Sequence, residues 1–139
     1  MSNLEKAIQI ATAAHEGQTD KGGKPYILHP LRVMMQMDSE AAMIVAVLHD
    51  VIEDSEYTFD NLEAFGFSNE IITAVKYLTK QKREPYETYL QQIKSNPLAR
   101  QVKLADLKDN MNLQRLQNIT SKDVERQEKY AKAVQILAS

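Results

Sequence analysis

Eight consecutive residues, Ala41-Ala-Met-Ile-Val-Ala-Val-Leu48, include no polar residue, and the six that follow, His49-Asp-Val-Ile-Glu-Asp54, include four ionisable ones. A stretch that apolar belongs at the centre of whatever core a 139-residue chain builds. The groups that end it cannot be buried bare, because each unpaired charge costs several kcal/mol. They must meet compensating groups brought in from elsewhere in the chain.

Elsewhere apolar residues recur at three- and four-residue intervals, and no segment shows the period of two that marks a half-buried strand. The expectation is an all-α, single-domain helical bundle over 1–139, without repeat, linker or low-complexity tract. Ser2 and Glu5 have the spacing of a capping box, ahead of a face of Leu4, Ala7, Ile8, Ala11 and Ala14 that Gly17 stops. Pro30 suits the first turn of a short helix ending near Met37, and Ser39 can cap a long helix through Asp54. Thr58 and Ser68 read as caps for helices near 58–65 and 69–79. The polar, basic stretch 79–85 reads as a loop before a helix over about 86–95, whose Tyr86 and Tyr89 read as core residues at helical spacing, with stacking on a base as the alternative. Asn96-Pro97 starts a helix expected to reach about Gln117. Ser121 is expected to cap a last helix with Val124, Tyr130, Ala131, Val134 and Leu137 on its apolar face.

Composition narrows the partners. A formal net charge of -2, with both signs interspersed, argues against a nucleic-acid binder. The absence of cysteine excludes disulfides, thiolate nucleophiles and cysteine-ligated metals, so any metal must be held by histidine, carboxylate or water. An eight-residue apolar run falls well short of the roughly 20 residues of a membrane span. The N-terminus does not have the pattern of a secretory signal, and a cytoplasmic location is expected.

On a helical wheel Glu53, Asp50 and Asp54 all fall on the His49 side, so one ion could sit beside the helix if other segments supplied further ligands. Only two other histidines exist. His29, in Pro25-Tyr-Ile-Leu-His-Pro30, sits at a stiff loop-to-helix junction suited to aiming a ligand, whereas His15, at a helix end, is read as structural. The acid most suited to join them is Asp106 in Val102-Lys-Leu-Ala-Asp-Leu-Lys-Asp-Asn110, with Asp109 and Asn110 one turn on along the same side. The loop Gly17-Gln-Thr-Asp-Lys-Gly-Gly-Lys-Pro25 could wrap phosphate or could be a plain surface turn.

Taken together, Ala14-His-Glu-Gly-Gln18, Pro25-Tyr-Ile-Leu-His-Pro30, His49-Asp-Val-Ile-Glu-Asp54 and Val102–Asn110 resemble the HD superfamily of metal-dependent phosphohydrolases. They resemble most closely the hydrolase domain of RelA/SpoT alarmone enzymes and their stand-alone small relatives. The resemblance implies an HD-type bundle in which His29, His49, Asp50 and Asp106 hold one divalent ion, usually Mn²⁺. It implies Glu53 and Asp54 as the catalytic acid pair, and Lys21, Lys103 and Asn110 as substrate contacts. The reaction implied is loss of pyrophosphate from the 3′ position of guanosine tetra- or pentaphosphate.

Three positions depart from the family pattern, and all concern substrate. Asp20 stands where an arginine usually packs on guanine, Gly22 where serine is common, and Leu113 where a threonine usually reaches the ribose. Two alternatives therefore stand beside alarmone hydrolysis: the same chemistry on another nucleotide or phosphorylated metabolite, and a sensor whose metal serves the fold. Residue types leave the oligomeric state open.

Overall fold

The structure, a computed structural model, describes residues 2–112, 116 and 118–139. Among these residues the chain forms nine helices: α1 (Asn3–Ala14), α2 (Leu28–Met35), α3 (Glu40–Leu48), α4 (Val51–Asp54), α5 (Phe59–Ala64), α6 (Asn69–Leu78), α7 (Tyr86–Lys94), α8 (Pro97–Asn110) and α9 (Ser121–Ala138). No strand is present among them, and the sole β feature is an isolated bridge between Thr19 and Pro25. Among the described residues no helix is long and apolar enough to cross a membrane.

The apolar run becomes the central helix. In α3, Ala42 and the five residues from Ile44 to Leu48 are buried, and α1, α2, α6 and α8 pack around it. Their contributions, among them Ala7, Val33, Val75 and Val102, join it in one continuous core. A helix buried on all sides needs its termini satisfied locally, and Ser39 does this by accepting the Ala42 backbone N–H. The Ser2–Glu5 capping box forms, as do caps at Thr58, Ser68 and Asn96.

Four expectations need correction. The helix expected from Ser39 through Asp54 is two helices, interrupted at His49 and Asp50. His49 Nδ1–H donates to the Ala46 carbonyl, competing for an acceptor of the helical ladder, and the backbone tightens there before α4 resumes. The helix after Asn96 ends at Asn110, short of Gln117, where Met111 caps it. The cap of α9 is Thr120 instead of Ser121, because Thr120 and Asp123 make a reciprocal capping box. Its buried face also differs from the expected one: Ala133 and Leu137 are buried with Tyr130 and Val134 beside them, while Val124 and Ala131 face outward. Finally, α2 stops at Met35, two residues before the expected end. Leu113 lies outside the described residues.

Candidate metal centre and active site

Interrupting the helix at His49 and Asp50 re-aims both side chains. On one regular helix they would point about 100° apart, but here His49 Nε2 and Asp50 Oδ2 are 3.0 Å from each other. From α2, His29 Nε2 comes within 4.0 Å of Asp50 Oδ2. From α8, Asp106 Oδ1 lies 2.7 Å from His29 Nε2 and 3.2 Å from His49 Nε2. Ligand atoms at about 2.1 Å from one ion sit about 3 Å apart when adjacent in its shell. The four donor atoms all lie within 4.8 Å of one another, so this group can hold a divalent cation.

Each of the four also has a partner behind it. The Tyr26 hydroxyl donates to Asp50 Oδ2 at 2.6 Å, and the Ala46 carbonyl accepts from His49. Lys103 Nζ donates to Asp106 Oδ2 at 3.0 Å, and Asn110 Nδ2 donates to Asp106 Oδ1 at 3.4 Å. His29 Nδ1 meets Asp109 Oδ2 at 2.6 Å, and Arg32 clamps Asp109 with two hydrogen bonds of 2.9 and 3.1 Å. Such outer contacts fix ring tautomers and carboxylate angles.

The electrostatics follow from this crowding. Burial alone disfavours an imidazolium, yet Asp106 and Asp109 raise the His29 pKa, and Asp50 and Asp106 hold that of His49 well above its usual value. Burial likewise opposes the carboxylates, but His49 brings Asp50 down to about 2. Lys103 and His49 hold Asp106 well below its ordinary range. A histidine raised in the folded state stabilises fully below its unfolded pKa of about 6.5 and stops stabilising as pH rises through the folded value. Chelator-treated protein should therefore lose thermal stability as pH is raised above about 6.5, and protein with metal restored should not. Thermal midpoints across a pH series, with and without Mn²⁺, check this.

Glu53 and Asp54 lie one step outside the cluster. Glu53 accepts the Lys80 backbone N–H at 2.6 Å, and its pKa is raised chiefly by burial and further by Asp50. Asp54 is raised by the same two causes, and its Oδ2 is 3.9 Å from His15 Nδ1. Gln18 ties this end to the first loop, donating to the Asp54 carbonyl at 3.1 Å and contacting His15 Nδ1 at 3.0 Å. His15 is buried against the Tyr26 ring.

Beside the cluster opens a cavity of about 250 Å³, lined by Lys21, Tyr26, His29, Arg32, Asn110 and Arg126 among others. Lys21 is exposed on its rim, and Lys103 is turned inward onto Asp106. Asp20 also lines it, but its carboxylate is engaged by the Gly22 and Lys24 N–H groups, each at 2.9 Å. Sequence spacing did not point to Tyr26, Arg32 or Arg126. Arg126 is held by Asp123 within α9, and its charge, after partial burial, lowers the pKa of Lys21 across the cavity.

No family model matches the chain. Relatives do. The bifunctional (p)ppGpp synthase/hydrolase SpoT of Escherichia coli is 37% identical over 126 residues, which cover 80% of this chain and 18% of that protein. A guanosine-3′,5′-bis(diphosphate) 3′-pyrophosphohydrolase of Haemophilus influenzae is 42% identical over 117 residues, covering 73% of this chain and 17% of that one. A solved structure, of a metazoan ortholog of SpoT described as hydrolysing ppGpp with a role in starvation responses, matches at TM-score 0.78 and 25% identity. That match covers 99% of this chain and 86% of the other. The chain is a SpoT-like HD domain. The SpoT-like domain spans less than a fifth of the length of the curated relatives it matches. Over 99% of its length it shares the fold of the metazoan SpoT ortholog.

Proposed function

We propose that the SpoT-like domain hydrolyses guanosine 3′,5′-bis(diphosphate), releasing pyrophosphate from the 3′ position and leaving GDP. The observation that carries this reading is the convergence of His29, His49, Asp50 and Asp106 at ligand distances, next to a pair of carboxylates with raised pKa values. The relatives named for this activity supply the substrate.

In this reading the four residues hold one Mn²⁺, which when bound supplies charge to draw in a phosphate oxygen and to acidify water. Glu53 and Asp54 then take the proton of the attacking water and return one to the departing 3′ oxygen, work for which a raised carboxylate pKa is suited. Lys103 and Asn110 steady Asp106 and present cationic and amide N–H groups beside the reacting phosphate. Lys21, from the loop, and Arg126, from α9, offset the negative charge of the remaining phosphates from the two walls of the cavity. Little beyond positioning and charge neutralisation is needed for phosphoryl transfer.

Purified protein loaded with Mn²⁺ should release pyrophosphate and GDP from ppGpp in equal amounts. Intact ppGpp after incubation with the Mn²⁺-bound protein would overturn the reading. Arg126→Ala should raise KM about tenfold, the equivalent of one charge-assisted hydrogen bond, with kcat little changed. Steady-state kinetics on both proteins decide it.

One observation favours a second substrate. Asp20 occupies the cavity wall as an anion bound into its own loop, so it offers no cation to stack on a guanine base. The same chemistry on another nucleotide or phosphorylated metabolite fits that wall, and a substrate panel with Mn²⁺ distinguishes the two.

A further inference from the structure

We propose that Asp109, locked by Arg32, is a positioning residue that sets His29 as a metal ligand; this rests on the metal site of the reading above but not on its substrate.

The two histidines of the cluster are backed differently. His49 directs Nδ1 at a neutral backbone carbonyl, that of Ala46. His29 directs Nδ1 at a carboxylate, Asp109 Oδ2, 2.6 Å away, while its Nε2 faces Asp50 and Asp106. An imidazole that donates Nδ1–H to a carboxylate keeps its Nε2 lone pair for a cation, cannot rotate its ring, and becomes a more basic ligand than one backed by a carbonyl.

The carboxylate is itself held. Arg32 stands one turn after His29 on α2 and approaches Asp109 with Nε on one oxygen and a terminal nitrogen on the other, the two-point geometry that fixes a carboxylate plane. The Asp109 oxygen that meets His29 is the one the terminal nitrogen of Arg32 also contacts. Arg32, Asp109 and His29 thus form a three-member chain running from a partly exposed guanidinium to the ligand nitrogen. Burial works against the Asp109 carboxylate, and His29 and Arg32 together keep it ionised. Arg32 also lines the substrate cavity, and with Asp109 it borders a second hollow between α2 and α8, so the chain is reachable from both sides.

The test is calorimetric titration of the full chain with Mn²⁺, alongside thermal midpoints of the chelated proteins. Asp109→Leu, which removes charge and acceptor, should weaken Mn²⁺ binding by about ten- to a hundredfold. Asp109→Asn keeps an acceptor and loses the charge, so its loss should be smaller. Arg32→Gln should weaken binding about threefold by freeing Asp109, and Arg32→Lys, which cannot make the two-point contact, should resemble it. A merely structural role predicts lower midpoints in the chelated state with Mn²⁺ affinity unchanged in whatever remains folded. Mn²⁺ binding within twofold of the parent in Asp109→Asn and Arg32→Gln, or in a folded Asp109→Leu, would overturn the proposal. If Asp109→Leu does not fold, the two milder variants decide. Loss of Mn²⁺ affinity in a chain whose parent binds Mn²⁺ yet leaves ppGpp intact would uphold the positioning role while removing the substrate.

Discussion

Asp106→Ala is expected to abolish Mn²⁺ binding and hydrolysis together, and to cost the metal-free protein roughly 3–5 kcal/mol of stability. Both losses come from one carboxylate. Its Oδ1 is within hydrogen-bond distance of both imidazoles, at 2.7 Å from His29 and 3.2 Å from His49, so removing it takes away a carboxylate that joins α2 to the end of α3. Its Oδ2 is the counterion of Lys103, an ammonium whose pKa burial would lower and Asp106 instead raises. Alanine leaves that ammonium without its carboxylate and takes one acceptor from each histidine, whose contacts to Asp109 and Asp50 remain, and an orphaned buried charge costs more than the intact pair contributes. Metal titration, product release and chemical denaturation of the chelated protein measure the three effects separately. Asp106→Asn keeps an acceptor for Lys103 and should recover part of the stability without recovering the metal.

Glu53→Gln should do the reverse, lowering kcat by about a hundred- to ten-thousandfold while Mn²⁺ affinity and stability stay near those of the parent. Glutamine retains an oxygen for the Lys80 N–H, so the contact that holds this side chain survives. What disappears is the capacity to take and return a proton. A Glu53→Gln protein that also loses the metal would move Glu53 into the ligand set. One that turns over at the parent rate would leave the proton to Asp54, and Asp54→Asn would then show the loss.

The residues that gave themselves away in sequence are those whose setting is local. Ser2, Ser39, Thr58 and Ser68 cap helices because a short polar side chain sits just before an apolar-periodic stretch, and all four do so here. His49, Asp50 and Asp106 stood out for a related reason, since ionisable side chains on faces otherwise apolar require partners, His29 stood out at its stiff loop-to-helix junction, and the family resemblance joined the four into one set. Nothing local announced the break at His49 and Asp50, because it comes from a side chain taking a place at a backbone carbonyl that spacing assigns to the ladder. Arg32 was equally silent, and Asp109, although placed on the Asp106 side, showed no partner in sequence, because their pairing exists only once α2 lies across α8. Thr120 displaced Ser121 as a cap by one residue, a choice that depends on Asp123 reaching back.

Asp20 has a consequence for any effort to exchange specificities between this chain and its relatives. Its oxygen closes the loop from Thr19 to Pro25 by holding two N–H groups, while its own backbone N–H binds the Lys24 carbonyl. The residue is a buckle as well as a cavity wall. Grafting an arginine there would undo the fastening in the same stroke that supplies a cation, and Lys21 would travel with the loosened strap. A successful graft has to bring a new closure for the loop along with it, for instance a short acceptor side chain at Gly22, so the unit of exchange is the loop and not the single residue.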